Sequence, residues 1–336
     1  PNVCGSGLFM EAIEQNPVYY DLAFEMPNHT DSIHLQGWLA AYAERRYGAK
    51  SAAAEKAWMY LLEGPYRRGT NGTERSSIVA ARPALDVKKS GPNAGLGIPY
   101  EPMLVIQAQA QLLKDADKLA ASKPYRFDIV DVQRQMMTNL GQLVHKKAAE
   151  AFVAKDRAAF TLHSRRFLEL LSDMDELLYT RSEYSFDKWL TEARSWGETK
   201  EEKDLMERDA TSLVTIWGAD GDPRIFDYSW REWAGLINGY YLPRWQKFYT
   251  MLQGHLDAGT DYQEEGLPLA YGREDFRAND FYNQLADWEL AYVVQTDKAR
   301  TPVTRGDELV ITRRLFDKYL KLSREYYTDF SGVEEI

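Results

Sequence analysis

A chain of 336 residues with 44% hydrophobic and 27% charged residues has the make-up of a globular protein, which excludes a disordered or collagen-like one. No apolar run nears the ~18 residues a membrane-spanning helix needs, and a net charge of −10 argues against nucleic acid, whose phosphates would be repelled. The single cysteine, Cys4, allows neither an intrachain disulfide nor a cysteine-based zinc site.

The chain opens Pro1-Asn2-Val3-Cys4-Gly5-Ser6-Gly7, with neither an initiating Met nor a signal peptide, and reads as a protein entered in its middle. A Gly-Ser-Gly turn followed by an amphipathic segment, over the first 30 residues, fits the last strand-to-helix unit of something larger. Within it Glu11 lies among apolar neighbours, where a carboxylate needs partners or its charge is costly. By position alone a lone glutamate is usually a surface residue.

From there most of the chain has helical spacing. Apolar stripes at steps of three and four predict helices over about 36–47, 54–63 and 101–121. Between Asp128 and His145 the stripe is Ile129, Val132, Met136, Leu140 and Leu143; between Phe160 and Leu178 it runs from Phe167 through Leu170, Leu171 and Met174. Further stripes cover about 231–257, 279–296 and 311–322. Breakers mark three irregular stretches, 64–99, 218–226 and 258–275. Alternating β-branched runs are almost absent. The predicted architecture is all-α, a bundle of about ten helices, with no sheet larger than a hairpin beyond residue 33.

Few residues are placed for chemistry. The five histidines are scattered with no i, i+4 pair, so no metal is expected. Asp173-Met174-Asp175-Glu176 reads as a solvated helix face, and Asp220-Gly221-Asp222 is too short for a calcium loop. No nucleophile elbow, Walker loop or dinucleotide fingerprint is present, so no cofactor is expected. Carboxylates and aromatics remain. Trp, Tyr and Phe together make 13% of the chain, enough for a bulky core or for rings that stack on sugars. The most distinctive stretch is 213–245, a helix end, a Gly/Asp/Pro loop and a new helix. Trp217 and Tyr228 flank the loop, Asp227 is placed to cap the following helix, and Tyr240 to Trp245 fall deeper, where they would pack.

This stretch resembles the C-terminal part of the alpha-N-acetylglucosaminidases. The resemblance rests on the Trp217-Gly218 loop, Asp227-Tyr228, Trp233-Ala-Gly-Leu and Tyr240-Tyr241-x-Pro243-Arg244-Trp245. Upstream support comes from Arg45-Arg46-Tyr47-Gly48, Arg82-Pro83-x-Leu85 and Tyr125 through Asp128, Asp131, Arg134 and Gln135. It implies that residues 1–32 are the end of a (β/α)8 barrel and 33–336 an all-α C-terminal domain set against the barrel's active-site face. It further implies an exo-hydrolase that removes terminal α-linked N-acetylglucosamine with retention, using a carboxylate nucleophile and a second carboxylic acid as proton donor. Glu11 matches the nucleophile, although Met10 and Ala12 stand where the family has Pro and Gly. Trp217, Ile225 and Tyr228 match positions that close the sugar pocket, which the Glu74-Arg75 loop also approaches. The acid/base glutamate belongs upstream of this chain, so the chain alone should be inactive. The implied partners are a glycan and the upstream barrel, and the implied location is extracytoplasmic, lysosomal in animals or secreted in bacteria. The sequons at Asn28 and Asn71 would matter only in a eukaryotic secretory pathway. The alternative is a helical carbohydrate-binding or interaction module without chemistry. The two readings part on whether Glu11 lies beside Trp217 and Tyr228.

Overall fold

The computed structural model describes residues 5, 7–9, 16–67, 76–91, 95–217, 226–264, 280–328 and 330. Among them twelve α-helices carry the fold, and the nearest approach to a sheet is one parallel bridge between Ser185 and Ala234. The three/four spacing was thus a sound guide to the class. The helices are α1 (Pro17–Glu25), α2 (Leu35–Tyr47), α3 (Ala52–Glu63), α4 (Met103–Lys114), α5 (Ala116–Leu119) and α6 (Lys123–Val153). They continue with α7 (Arg157–Leu178), α8 (Phe186–Arg194), α9 (Lys200–Leu213), α10 (Leu242–Ala258), α11 (Asp280–Val294) and α12 (Glu308–Tyr326).

Their starts are written locally. Ser51, Ser122, Asp156, Ser185 and Asp307 each place a side-chain oxygen on first-turn amides that would otherwise lack a partner. Thr199 and Glu202 form a reciprocal capping box on α9. α2 and α10 end at Gly48 and Gly259, whose φ of +72° and +68° suits glycine.

Two stretches differ from the sequence expectation. The stripe over 101–121 is broken at Asp115, whose backbone leaves the helical region while its carboxylate accepts a 2.6 Å hydrogen bond from Ser51. The stripe over 231–257 begins as a π turn, Ile237–Tyr241, which runs directly into α10. Pro243 in the first turn of α10 has no N–H to give to the carbonyl four residues back, and the wider turn accommodates it.

The 31-residue α6 is the axis of the bundle, packed along α7 and flanked by α2, α4 and α12; α10 closes the other side of α7. Asp175 on α7 corrects the solvated-face reading of residues 173–176. It is buried, and its carboxylate accepts from the Gly235 and Asn238 amides at 2.8 and 3.1 Å and from the Asn238 side chain at 2.8 Å. Only a carboxylate can take all three donors there, so it ties α7 to the turn ahead of α10. Glu176, by contrast, pairs with Arg314 at the surface, as a solvated face predicts.

His145 lies in the aromatic core shared by α6, α7 and α10. Its ring centroid is 4.7 Å from that of Trp245, and its Nδ1 is 2.9 Å from the Tyr249 hydroxyl. Burial pushes its pKa down to about 4, from an ordinary 6.5. Between those values the unfolded chain takes up a proton that the native state refuses, so native stability falls as pH drops through that window. At about 1.36 kcal/mol per pH unit, the window is worth on the order of 3 kcal/mol. Denaturant midpoints of the wild type should therefore fall more steeply between pH 6.5 and 4 than those of His145→Gln. Parallel curves would show that the buried ring is not held neutral.

Candidate active site

The site is built where α9 ends and the chain returns to start α10. After Leu213 the backbone turns, and at Trp217 it adopts φ +58° with its N–H donating to the Ser212 carbonyl at 2.6 Å. At the returning end Asp227 also has φ +58°, and its N–H donates to the Thr215 carbonyl at 2.7 Å. Left-handed backbone costs a non-glycine residue about 1–2 kcal/mol and persists only where the surroundings fix it. The two ends are thereby clamped side by side. This brings the half-buried rings of Trp217 and Tyr228 together, centroids 4.8 Å apart and planes at 46°. A tilted pair of this kind presents ring face and ring edge in two directions at once.

Two anchors hold the clamp from behind, both using α11. Ile216 and Phe226, the neighbours of Trp217 and Asp227, pack on Ala286 and Val293 in a small apolar cluster. Beside it lies a buried set of four charges. Arg244 donates to both Asp227 oxygens at 3.2 and 3.0 Å, to Glu289 at 3.1 Å and to the Ala80 carbonyl at 2.7 Å. Arg82 donates to the two oxygens of Glu289 at 3.2 and 2.8 Å. The Arg244 guanidinium also lies 4.5 Å from the centre of the Tyr240 ring. Two cations and two anions cancel, which is the condition for burying any of them. Burial still pushes the Asp227 carboxyl up to about 6, against the pull of Arg244.

Asp227 is therefore not the helix cap that its place in the sequence suggested. The next helical turn begins ten residues later, at Ile237, and the carboxylate turns inward to Arg244. Gly91 completes the contact: a Cβ there would stand 2.7 Å from the Asp227 carbonyl oxygen, so only glycine allows this approach.

A cleft of about 430 Å³ opens between α2, α3 and α6. Tyr42, Trp58, Tyr66 and Trp233 give it aromatic walls. Arg46 makes a bidentate pair with Asp128 at 2.6 and 2.7 Å, and Arg134 bridges Asp131 and Glu232. Glu232 also accepts from Ser77 and Thr138 at 2.5 and 2.7 Å. Asn16 reaches the cleft from the start of α1 and bonds the Tyr66 hydroxyl. Its charges are thus engaged with one another, leaving ring faces and hydrogen-bonding edges as what it offers a ligand.

Of the residues singled out by sequence, Trp217 and Tyr228 meet. Glu11, Ile225 and the Glu74-Arg75 loop lie outside the described residues, as does Asp220-Gly221-Asp222. Tyr240, Tyr241 and Trp245 are fully buried, as their place in the helix foretold. Sequence reasoning quoted Arg82 and Arg244 only as parts of motifs, and found neither Glu289 nor the pairing of these charges. The available signal was the run Tyr240-Tyr241-x-Pro243-Arg244-Trp245, where a cation among aromatics implies a buried counter-ion.

Comparison with known proteins places these features in one lineage. Residues 38–318 match the family model described as the alpha-N-acetylglucosaminidase C-terminal domain. Human alpha-N-acetylglucosaminidase is 32% identical over 322 residues, which cover 94% of this chain and 40% of the human protein. A family 89 glycoside hydrolase from Clostridium perfringens in complex with PUGNAc superposes with a TM-score of 0.78 at 27% identity, over 93% of this chain and 34% of that one. The same enzyme with two glutamates replaced by glutamine, in complex with its substrate GlcNAc-alpha-1,4-galactose, superposes at 0.81 over 94% and 35%. The chain spans 40% of the length of its human relative and about a third of the clostridial one.

Proposed function

This chain belongs to the alpha-N-acetylglucosaminidase C-terminal domain family, and we propose that it is the carboxy-terminal part of a retaining exo-glycosidase that removes terminal α-linked N-acetylglucosamine from glycans. The observation that carries the reading is the clamped Trp217–Tyr228 pair, in a chain whose clostridial neighbour has been seen with GlcNAc-alpha-1,4-galactose. In this reading the two rings, with Ile225 between them in sequence, close the pocket over the sugar. Ring faces stack on the apolar side of a pyranose and exclude water from the reacting carbon.

Chemistry then needs two carboxyl groups. Glu11 attacks the anomeric carbon and forms a glycosyl ester, while an upstream carboxylic acid protonates the departing glycosidic oxygen. The same upstream group, now a base, takes a proton from the water that cleaves the ester and restores Glu11. Two inversions give overall retention. That the clostridial substrate complex carries two Glu→Gln replacements fits a pair of glutamates at the centre of such a reaction.

The domain division follows the same logic. Tyr19, Phe24 and Met26 are exposed on and just after α1, although that helix is apolar on most of its sides. A helix of that composition is normally covered on more than one face. We take residues 1–32 as the end of the barrel, α1 as one of its helices, and 33–336 as the domain docked to it. Family membership is also the ground for an extracytoplasmic location. No helix among the described residues is long and apolar enough to cross a membrane.

The aromatic cleft between α2, α3 and α6 favours a second reading, a helical carbohydrate-binding module that performs no chemistry. The isolated chain and the full-length protein separate the two when given an aryl α-N-acetylglucosaminide. The full protein should release the aryl group, and the first sugar formed should be the α-anomer by NMR. The chain alone should release none, since lost acid assistance costs about 10²–10⁴-fold and the missing barrel removes substrate contacts as well. Equal rates would end the two-part account, a β-anomer would end retention, and an inactive full protein that still binds the sugar would favour the module.

A further inference from the structure

The charges behind the aromatic pair are buried among the described residues, and they sit against the stretch that holds that pair. Asp227 immediately precedes Tyr228, and its amide is bonded to Thr215, two residues before Trp217. Its carboxylate is held by Arg244, which is fully buried, and Arg244 is held in turn by Glu289, also fully buried. Arg82 completes the set by occupying both oxygens of Glu289. Arg244 further donates to Ala80 and lies against Tyr240, so its two terminal nitrogens and one face of that ring are engaged. The apolar anchor lies on the same helix: Ala286 and Val293 of α11 receive Ile216 and Phe226, and Glu289 stands between them in sequence. The apolar cluster is separate from the large one that α6, α7 and α10 share, and a charge set of this kind is commonly replaceable by apolar residues without loss of stability. The Arg82–Glu289 pair is bidentate, two nitrogens on two oxygens, and one Arg244 nitrogen is shared among both Asp227 oxygens and Glu289; charge-assisted hydrogen bonds of this kind fix direction, which an apolar contact does not.

We propose that Arg244 and Glu289 are positioning residues that set the tilt and separation of Trp217 and Tyr228 through Asp227, with Arg82 fixing Glu289 in turn. This rests on the reading of Trp217 and Tyr228 as the sugar-facing wall. The substrate feels the array only through the two rings, so the array matters to the reaction only while the rings are present.

That condition gives the test. Four full-length enzymes are compared on an aryl α-N-acetylglucosaminide, each first shown to be folded by circular dichroism: the wild type, Glu289→Gln, a wall-less Trp217→Ala/Tyr228→Ala protein, and the wall-less protein carrying Glu289→Gln. Glu289→Gln should lower kcat/KM about tenfold or more in the wild-type background, chiefly through KM. In the wall-less background it should lower kcat/KM by less than about twofold, because the groups it acts through are gone. Thermal midpoints should instead fall by a similar amount in both backgrounds, which is how a merely structural role would behave in every readout. An equal fold-loss of kcat/KM in both backgrounds, or no loss in the wild-type background, overturns the proposal. If the wall-less protein keeps wild-type kcat/KM, the sugar-facing reading itself has failed and takes the proposal with it. Should Glu289→Gln not fold, Arg82→Lys replaces it. That change keeps the charge but gives up the bidentate fork, and the same pattern is expected at about threefold in the wild-type background and no change without the wall.

Discussion

Glu11→Gln in the full-length enzyme should abolish hydrolysis of an α-N-acetylglucosaminide, by on the order of 10⁴-fold or more, without lowering the melting temperature appreciably. The amide has the shape of the carboxylate but neither its charge nor its nucleophilicity, so no glycosyl ester forms. Glu11 is proposed for this role from its place in the pattern Gly5-x-Gly7…Glu11…Gln15-Asn16. On its C-terminal side the described residues resume at Asn16, which starts α1 and bonds Tyr66 at the edge of the aromatic cleft. A nucleophile can be distinguished from a residue that only supports the site by shortening it further. Glu11→Ala leaves a gap on the face from which the ester would form. Azide in that gap, with a dinitrophenyl leaving group that needs no protonation, should attack the anomeric carbon directly and give the β-glycosyl azide. One inversion replaces two. Retained activity in Glu11→Gln, or rescue by azide that yields only free sugar, would remove Glu11 from this role.

The fold was legible because its rules are local. Stripes at three and four residues mark the faces of α6 and α7, and serine, threonine or aspartate stands at the start of most helices. What was illegible depends on partners far away in sequence. Asp227 looked like a cap because nothing near it in the chain reveals Arg244, seventeen residues on, or Glu289 beyond that. Asp175 looked solvated because its neighbours on α7 are acidic, while its three donors come from residues 235 and 238. The break at Asp115 has the same origin, a bond to Ser51 on the other side of α3. The meeting of Trp217 and Tyr228 could be anticipated because both flank one connection. Their tilt could not, since it is set by two left-handed residues and by a helix sixty residues further along.

Trp217→Ala and Trp245→Ala, made separately in the full-length enzyme, should have opposite signatures. Trp245 is fully buried, with ring centroids 4.7 Å from both His145 and Phe167, and its indole N–H donates to the Val79 carbonyl at 3.3 Å. Its removal leaves a cavity that close-packed helices fill poorly, so stability should fall by about 3–5 kcal/mol. The surviving folded fraction should keep near-normal kinetics. Trp217 is half-buried, and its ring meets Tyr228 at the surface end of the clamp. Less area returns to water, and the stability cost should stay near the ordinary ~1 kcal/mol of a point substitution. The kinetic cost should be the larger one, a fall in kcat/KM of about tenfold or more carried mainly by KM, since tenfold corresponds to only about 1.4 kcal/mol of lost stacking. Urea midpoints and steady-state kinetics on the two variants decide the matter. If Trp217→Ala costs as much stability as Trp245→Ala while kcat/KM per folded molecule is unchanged, Trp217 is a core residue and the sugar-facing wall must be sought elsewhere, with the rings of Tyr42, Trp58 and Tyr66 in the cleft between α2, α3 and α6 as the next candidates.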